Sequence, residues 1–213
     1  MIDLGYWSVF LGAAIVLNIS PGPDLIYILS RTIANGRRIG IASSLGVCSG
    51  AFVHVVAAAA GISAILMTSA VAFMVVKYIG GAYLIYLGIQ ALRSSGASFD
   101  AARVSKKPVT AWRAYKQGVM IDVLNPKVAI FFMAFLPQFV RADAGPVALQ
   151  LILLGLAVNI IAVIIECSIV LLAARTTTFF RNSSRLSKWL DRVLGTVLVA
   201  LGVRLALSER VAT

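Results

Sequence analysis

The first long hydrophobic stretch of this chain is interrupted by the run L-N-I-S-P-G-P-D, from Leu17 to Asp24. The fourth is interrupted in the same way by D-V-L-N-P-K, from Asp122 to Lys127. Proline lacks a backbone N–H and clashes with the carbonyl of the preceding turn, so each run ends one half-helix and begins another. In a bilayer such a break is tolerated only where protein or a wet cavity satisfies the freed backbone groups. A matched pair of breaks, one in each half of the chain, indicates the substrate site of a secondary transporter.

The composition is that of a membrane protein. Of the 213 residues, 60% are hydrophobic and only 13% are charged, whereas a soluble domain carries about 25% charged residues. Six apolar stretches are long enough to cross a bilayer. They cover about residues 5–29, 39–67, 70–92, 117–139, 146–174 and 189–208. We predict an all-α, polytopic membrane protein with six transmembrane helices in a single domain over residues 1–213.

The basic residues are divided unequally between the two sides of these stretches. Of the 19 Lys and Arg residues, 14 lie at the connections after the first, third and fifth stretches, and only Arg141 and Arg210 lie on the opposite side. The 14 residues are Arg31, Arg37, Arg38, Arg93, Arg103, Lys106, Lys107, Arg113, Lys116, Arg175, Arg181, Arg185, Lys188 and Arg192. The positive-inside rule therefore places those connections in the cytoplasm and both termini outside it, in the periplasm. The net charge of +11 follows from this pattern, so no nucleic-acid partner is predicted.

The two halves of the chain resemble each other. Residues 77–88, K-Y-I-G-G-A-Y-L-I-Y-L-G, align with residues 191–202, D-R-V-L-G-T-V-L-V-A-L-G. Because each half contains three spans, the second half enters the bilayer from the other side. We therefore predict a 3 + 3 inverted repeat with halves at about 1–95 and 115–213, joined by a cytoplasmic linker at about 93–116.

The breaks carry residue types that suit an amino-acid zwitterion. A new helix N-terminus attracts a carboxylate, and Lys127 adds a full positive charge beside the second break. Asp24 can cap its own helix, pair with Lys127 or receive an ammonium group. A purely structural Asp24–Lys127 ion pair is the alternative, although charges within spans usually mark functional sites. The candidate substrate-binding residues are Asn18, Ser20, Pro21, Gly22, Pro23, Asp24, Asn125, Pro126 and Lys127.

Polar side chains beside the prolines are expected to satisfy the broken backbone. We expect Ser20 and Asn125 to cap the two new helices, since Ser and Asn are preferred at that position. Asn18 and Asn159 can also bond backbone groups exposed at the breaks, and Asn18 is well placed to do so.

Two further carboxyl groups lie within apolar stretches and have no basic neighbour in the sequence. Asp122 and Glu166 are therefore candidates for proton coupling, with Asp24 as a third. Each can instead be a neutral, hydrogen-bonded structural acid. His54, the only histidine, is predicted to be a packing residue rather than a proton carrier.

Other classes of protein fit this sequence less well. One histidine and two cysteines, Cys48 and Cys167, cannot supply a zinc site or a disulfide framework, so no cofactor or metal is predicted. Ser49 and His54 point to different faces of one helix, which argues against an intramembrane serine protease. A channel would favour rings of polar side chains, and the pair of breaks favours a carrier instead. A non-transport membrane subunit is the remaining alternative.

The segment Gly46-Val-Cys-Ser-Gly50 is a small-xxx-small pattern, which allows two helices to approach closely. An intramolecular partner helix is favoured. A second copy of the chain, in a homo-oligomer, is the alternative.

With these motifs the chain resembles the lysine exporter / homoserine–threonine resistance (LysE/RhtB) family of bacterial amino-acid exporters. The resemblance extends over nearly the whole length and is carried by N-I-S-P-G-P-D (18–24), N-G-R-R-I-G (35–40), Y-I-G-G-A-Y-L-I-Y-L-G (78–88) and L-N-P-K-V-A-I-F-F-M-A-F-L-P-Q-F-V (124–140). It implies a transporter, not an enzyme, that exports threonine-, homoserine- or leucine-like amino acids or related metabolites through the bacterial inner membrane by proton antiport. Two positions differ from the family pattern: Asp122 stands where Asn is more usual, and Glu166 lies in a span that is usually uncharged.

Overall fold

A computed structural model describes residues 4–20, 22–68, 70–93, 108–141, 143–175 and 184–207. Within these ranges the regular structure is entirely helical, as predicted. The helices are α1 (Leu4–Ile19), α2 (Pro23–Asn35), α3 (Arg37–Thr68), α4 (Ala70–Arg93), α5 (Ala111–Val123), α6 (Pro126–Ile130), α7 (Val147–Arg175) and α8 (Ser184–Leu207).

The first and fourth apolar stretches are broken where the prolines predict. α1 and α2 are bent by 51° at their junction, and α5 is bent by 53° relative to the segment Pro126–Phe139. α3 and α7 contain uninterrupted apolar segments that are long enough to cross a bilayer, Arg37–Gly61 and Val147–Ala174. If each bent pair is one span, the described chain has up to four candidate spans, which agrees with a polytopic membrane protein.

The predicted third and sixth spans correspond to α4 and α8, which have 24 residues each. A helix of that length is about 36 Å long, which matches the hydrocarbon core of a bilayer. The full set of six spans stays a prediction.

The outer surface of α7 is apolar. Leu153, Ile160 and Ile164 are between 57% and 61% exposed. A soluble protein rarely presents a continuous apolar surface of this kind, whereas lipid tails cover it at no cost.

Glycines bring α3 and α5 into close contact. A Cβ atom on Gly46 would lie 2.1 Å from the carbonyl oxygen of Tyr115, and one on Gly50 would lie 2.8 Å from that of Val119. The small-xxx-small segment of α3 therefore packs inside the molecule, as favoured from the sequence. Only glycine fits at such a crossing, so these two helices form a rigid pair.

α4 and α8 meet through a second seam of glycines. A Cβ on Gly88 would lie 2.7 Å from the Gly195 carbonyl oxygen, and a Cβ on Gly202 would lie 2.6 Å from that of Gly81. The sequence alignment of the two halves equates Gly81 with Gly195 and Gly88 with Gly202. If each glycine of the Gly88–Gly195 contact is replaced by its aligned partner, the result is the Gly202–Gly81 contact. A two-fold axis between α4 and α8 gives this relation. This reciprocity supports the predicted inverted repeat.

The second half of the fourth span is less regular than its apolar pattern predicts. After α6 the chain forms a π-helical turn at Phe131–Phe135 and a 3-10 turn at Leu136–Phe139. Pro137 cannot donate a backbone hydrogen bond, so a regular α-helical ladder is not available across it. The aromatic rings of this segment fill the core against Phe10 of α1.

Candidate functional site

The second break is capped as predicted. Asn125 precedes α6, and its Oδ1 accepts a hydrogen bond of 3.1 Å from the backbone N–H of Lys127. Pro126 occupies the first turn, where its missing N–H costs nothing. The Lys127 side chain therefore leaves a fixed helix start.

The first break is capped differently from the prediction. Gly22, not Ser20, is the N-cap of α2, and it makes no side-chain cap bond. Because Pro23 is the first helical residue, the cap position falls on Gly22 and the Ser20 hydroxyl lies outside capping range. Ser20 Oγ is buried without a hydrogen-bond partner among the described residues. Pro21 lies outside the described residues.

The two breaks are joined by a buried ion pair. Lys127 Nζ lies 3.3 Å from both Asp24 Oδ1 and Asp24 Oδ2, and both residues are buried. Of the three roles open to Asp24 in the sequence, the structure shows the pairing with Lys127. Gly22 lies directly against this pair: a Cβ there would lie 2.4 Å from Asp24 Oδ1 and 2.6 Å from Lys127 Nζ.

A small cavity lies beside the ion pair. Its volume is about 20 Å³, which is room for about one water molecule. Its lining includes Asn18, Asp24, Asp122, Asn159 and Glu166. The structure thus brings all three candidate proton-coupling residues to one small cavity beside the broken spans.

The two carboxyl groups without a basic neighbour have different surroundings. Asp122 is only 1% exposed, and its Oδ2 has no hydrogen-bond partner in the described chain. Glu166 is also buried, and its Oε2 accepts from Ser44 Oγ at 2.9 Å and from Cys48 Sγ at 3.6 Å. Glu166 is therefore held by α3, whereas Asp122 leaves one oxygen atom open.

The remaining polar candidates serve local structure. His54 donates from Nε2 to the Asp122 carbonyl oxygen at 3.0 Å, across the α3–α5 contact, which fits the predicted packing role. Asn18 donates to the Ala14 carbonyl oxygen within α1. The expectation that Asn18 bonds a group freed by the break is wrong, because its amide reaches back along its own helix instead of forward.

Sequence reasoning missed Ser44, which is fully buried in α3 and bonds Glu166. Asn159, expected to bond backbone groups at the breaks, donates instead to the Cys48 carbonyl oxygen of α3 at 2.9 Å. The spacing of Asn159 and Glu166, two helical turns apart, places both on one face of α7. That spacing was the signal available in the sequence.

Comparisons with known proteins identify the family of the chain. The LysE type translocator family model matches residues 15–209. The chain is 28% identical to a homoserine/homoserine lactone efflux protein of Salmonella typhimurium and 29% identical to one of Salmonella typhi, over 94% of this chain and 96% of each relative. It is 26% identical to an uncharacterized membrane protein of Pseudomonas aeruginosa, over 94% of both chains. No solved structure matches the chain significantly.

Gly22→Ala should separate Lys127 from Asp24 without unfolding the protein. The backbone of Gly22 is extended, with φ of −151°, so alanine is compatible with it, and the atoms displaced are the mobile ends of two side chains. We expect translocation to fall by about tenfold or more with little change in melting temperature. Gly12→Ala, where an added Cβ meets nothing within 4 Å, is the matched control. Wild-type translocation by Gly22→Ala would contradict this role of the glycine.

Proposed function

This chain belongs to the LysE type translocator family, and on that premise we propose that it exports small amino acids or related metabolites from the cytoplasm by proton antiport. The observation that carries the proposal is the buried Asp24–Lys127 ion pair where two broken spans meet. Two relatives are named for efflux of homoserine and homoserine lactone. Homoserine-, threonine- and leucine-like compounds are therefore the first substrates to test.

Where the substrate has a free carboxylate, that group is proposed to bind at Lys127. Its ammonium group is the only basic side chain at the meeting point of the breaks in the described chain, and Asn125 fixes the backbone from which it extends. The carboxylate shares Lys127 with Asp24, or replaces Asp24 during the cycle. Such sharing makes the ion pair part of the transport site and not only a structural link.

The cavity is too small to hold an amino acid as it stands. A volume of about 20 Å³ accommodates one water-sized group. We therefore interpret this conformation as closed to both sides. Substrate entry requires α1, α2 and α6, the half-helices outside the glycine-packed pairs, to move relative to the pairs α3–α5 and α4–α8, as in alternating access.

Proton coupling is assigned to Asp122. A transported proton needs a buried acid that is neutral in one state and charged in another, and Asp122 has no ion pair among the described residues. Asp24 is paired and Glu166 is hydrogen-bonded, so both are less free to exchange a proton.

The direct test of this function is counterflow in proteoliposomes with a panel of amino acids. Trans substrate should accelerate uptake of labelled substrate, because a carrier exchanges the two through one site. A channel would show no such acceleration. Chemical change of the substrate would indicate an enzyme instead.

Lys127→Ala should abolish export of the substrate while the protein still inserts into the membrane. Lys127→Arg should also be poor, because a planar guanidinium replaces a compact ammonium in a confined space. The measurement is resistance to toxic amino-acid analogues together with efflux of labelled substrate at matched expression. Normal efflux by Lys127→Ala would remove Lys127 from the substrate site.

Asp122→Asn should separate coupling from binding. Asparagine keeps the shape of the side chain but cannot carry a proton, so uphill, gradient-driven efflux should be lost while counterflow stays largely intact. Both assays are made on one proteoliposome preparation. Undiminished uphill efflux would transfer the coupling role to Glu166 or Asp24.

Topology provides a further test. We place the protein in the bacterial inner membrane with six spans, both termini in the periplasm and the linker at about 93–116 in the cytoplasm, because of the unequal division of basic residues. Reporter fusions at Gly96 and at the C-terminus should report cytoplasm and periplasm, respectively. The same location for both fusions would refute the six-span topology.

A further inference from the structure

The mostly apolar lining of the cavity beside the breaks includes three acids and, among the described residues, no basic side chain. Asp24, Asp122 and Glu166 contribute carboxyl groups to it, and its lining contains no Lys, Arg or His within the described ranges. Lys127, from outside the lining, pairs with Asp24 alone. Asp122 and Glu166 therefore lack an ion-pair partner in the part of the chain that the structure describes. In hydrocarbon this is costly unless each of them holds a proton or meets a cation.

Unused hydrogen-bond acceptors face the same space. Asp122 Oδ2 is buried and has no partner among the described residues. Asn159 donates a hydrogen bond from its side-chain amide to the Cys48 carbonyl oxygen. Its Oδ1 is also buried and has no hydrogen-bond partner among the described residues. Buried oxygen atoms are normally satisfied. Asp122 Oδ2 and Asn159 Oδ1 can therefore each accept a hydrogen bond from a ligand, since the described chain supplies no donor to them.

The size of the space narrows the choice of donor. A cavity of about 20 Å³ takes one water-sized group, and an ammonium group has that size. A substrate carboxylate placed there would add a further negative charge and more acceptors beside three acids.

We infer that Glu166 and Asn159 of α7 bind the ammonium group of the exported substrate. The inference rests on the proposed function, in which Asp122 holds the transported proton. Both side chains lie on one face of α7 and line the cavity. Ser44 Oγ, bonded to Glu166 Oε2 at 2.9 Å, fixes the direction of the carboxylate. An ammonium group has three N–H donors, enough for Glu166, Asn159 and one further oxygen atom.

The balance of charge then selects the class of substrate. With Asp24 neutralised by Lys127 and Asp122 protonated, one negative charge remains, on Glu166. A substrate with one net positive charge balances it, whereas a zwitterion adds a carboxylate that must compete with Asp24 for Lys127. The site therefore favours primary amines whose carboxyl group is masked as a lactone, ester or amide.

The names of two relatives are consistent with this selection. Both are homoserine/homoserine lactone efflux proteins. Homoserine and its lactone share the amino group and differ in the free carboxylate. A carrier that accepts both compounds must recognise the amino group that they share, and Glu166 and Asn159 would bind that group here.

The test is competition against counterflow of labelled homoserine in proteoliposomes, in mildly acidic buffer. The competitors are homoserine, homoserine lactone, which is a cation, and N-acetylhomoserine, which lacks the ammonium. For the wild-type protein the lactone should inhibit at about tenfold lower concentration than homoserine, since one buried charge pair is worth at least that factor. N-acetylhomoserine should not inhibit.

Glu166→Gln should remove this preference, so that the lactone inhibits no better than homoserine. Asp143→Asn is the matched control, since Asp143 is exposed and paired with Arg141 away from the cavity; it should keep the wild-type preference. Ser44→Ala keeps the charge of Glu166 but removes the hydrogen bond that orients its carboxylate, so it should lower the preference for the lactone. This variant keeps the test available if the melting curve shows that Glu166→Gln does not fold.

Two outcomes would overturn the inference, and they are distinguishable. If the wild-type protein exchanges homoserine but Glu166→Gln and Ser44→Ala keep its preference for the lactone, Glu166 does not bind the ammonium and transport itself stands. If the wild-type protein exchanges none of the amino compounds, the proposed function fails and the inference fails with it.

Discussion

The buried ion pair between Asp24 and Lys127 is the constraint on which the rest of the site depends. An isolated charge in hydrocarbon costs several kcal/mol or more, so the two side chains must meet once the sequence places them in spans. They can meet because the two breaks lie against each other and Gly22 leaves space directly against the pair. Asn125 then holds the helix start from which Lys127 extends. Proline, glycine and asparagine at the breaks thus bring one charge of each sign together.

The helices around this pair pack closely through glycines. Glycine seams lock α3 to α5 and α4 to α8, with backbone atoms in direct contact. Gly81 meets Gly202 and Gly88 meets Gly195, so the glycines that the sequence alignment equates pack reciprocally between α4 and α8, as expected for the predicted inverted repeat. In an inverted repeat, exchanging the conformations of the halves converts a state open to one side into a state open to the other. The half-helices at the breaks are then the parts that need to change.

Much of the fold could be predicted from the sequence, because hydrophobic length and proline are strong local signals. The positions of the breaks, the Asn125 cap and the Asp24–Lys127 pair all follow from residues close together in the chain or from the cost of buried charge. The cap at the first break was mistaken, since two prolines with a glycine between them offer more than one helix start. The bond from Ser44 to Glu166 could not be foreseen, because it joins residues that only tertiary packing brings together. The π-helical turn at Phe131–Phe135 is likewise decided by packing and by Pro137 beyond it.

Under the proposed function, the carboxyl groups at this cavity couple the proton and the substrate through electrostatics. Buried carboxyl groups accept either a proton or a cation, and each lowers the need for the other. If Asp122 and Glu166 share the cavity, arrival of a substrate ammonium favours loss of a proton, and return of the proton favours release of the substrate. The proton and the substrate ammonium then exchange without any further coupling residue, because both neutralise the same unpaired negative charge. Lys127 pairs with Asp24, so under the proposed function the carboxyl groups beyond that pair, those of Asp122 and Glu166, set how much positive charge the site takes up.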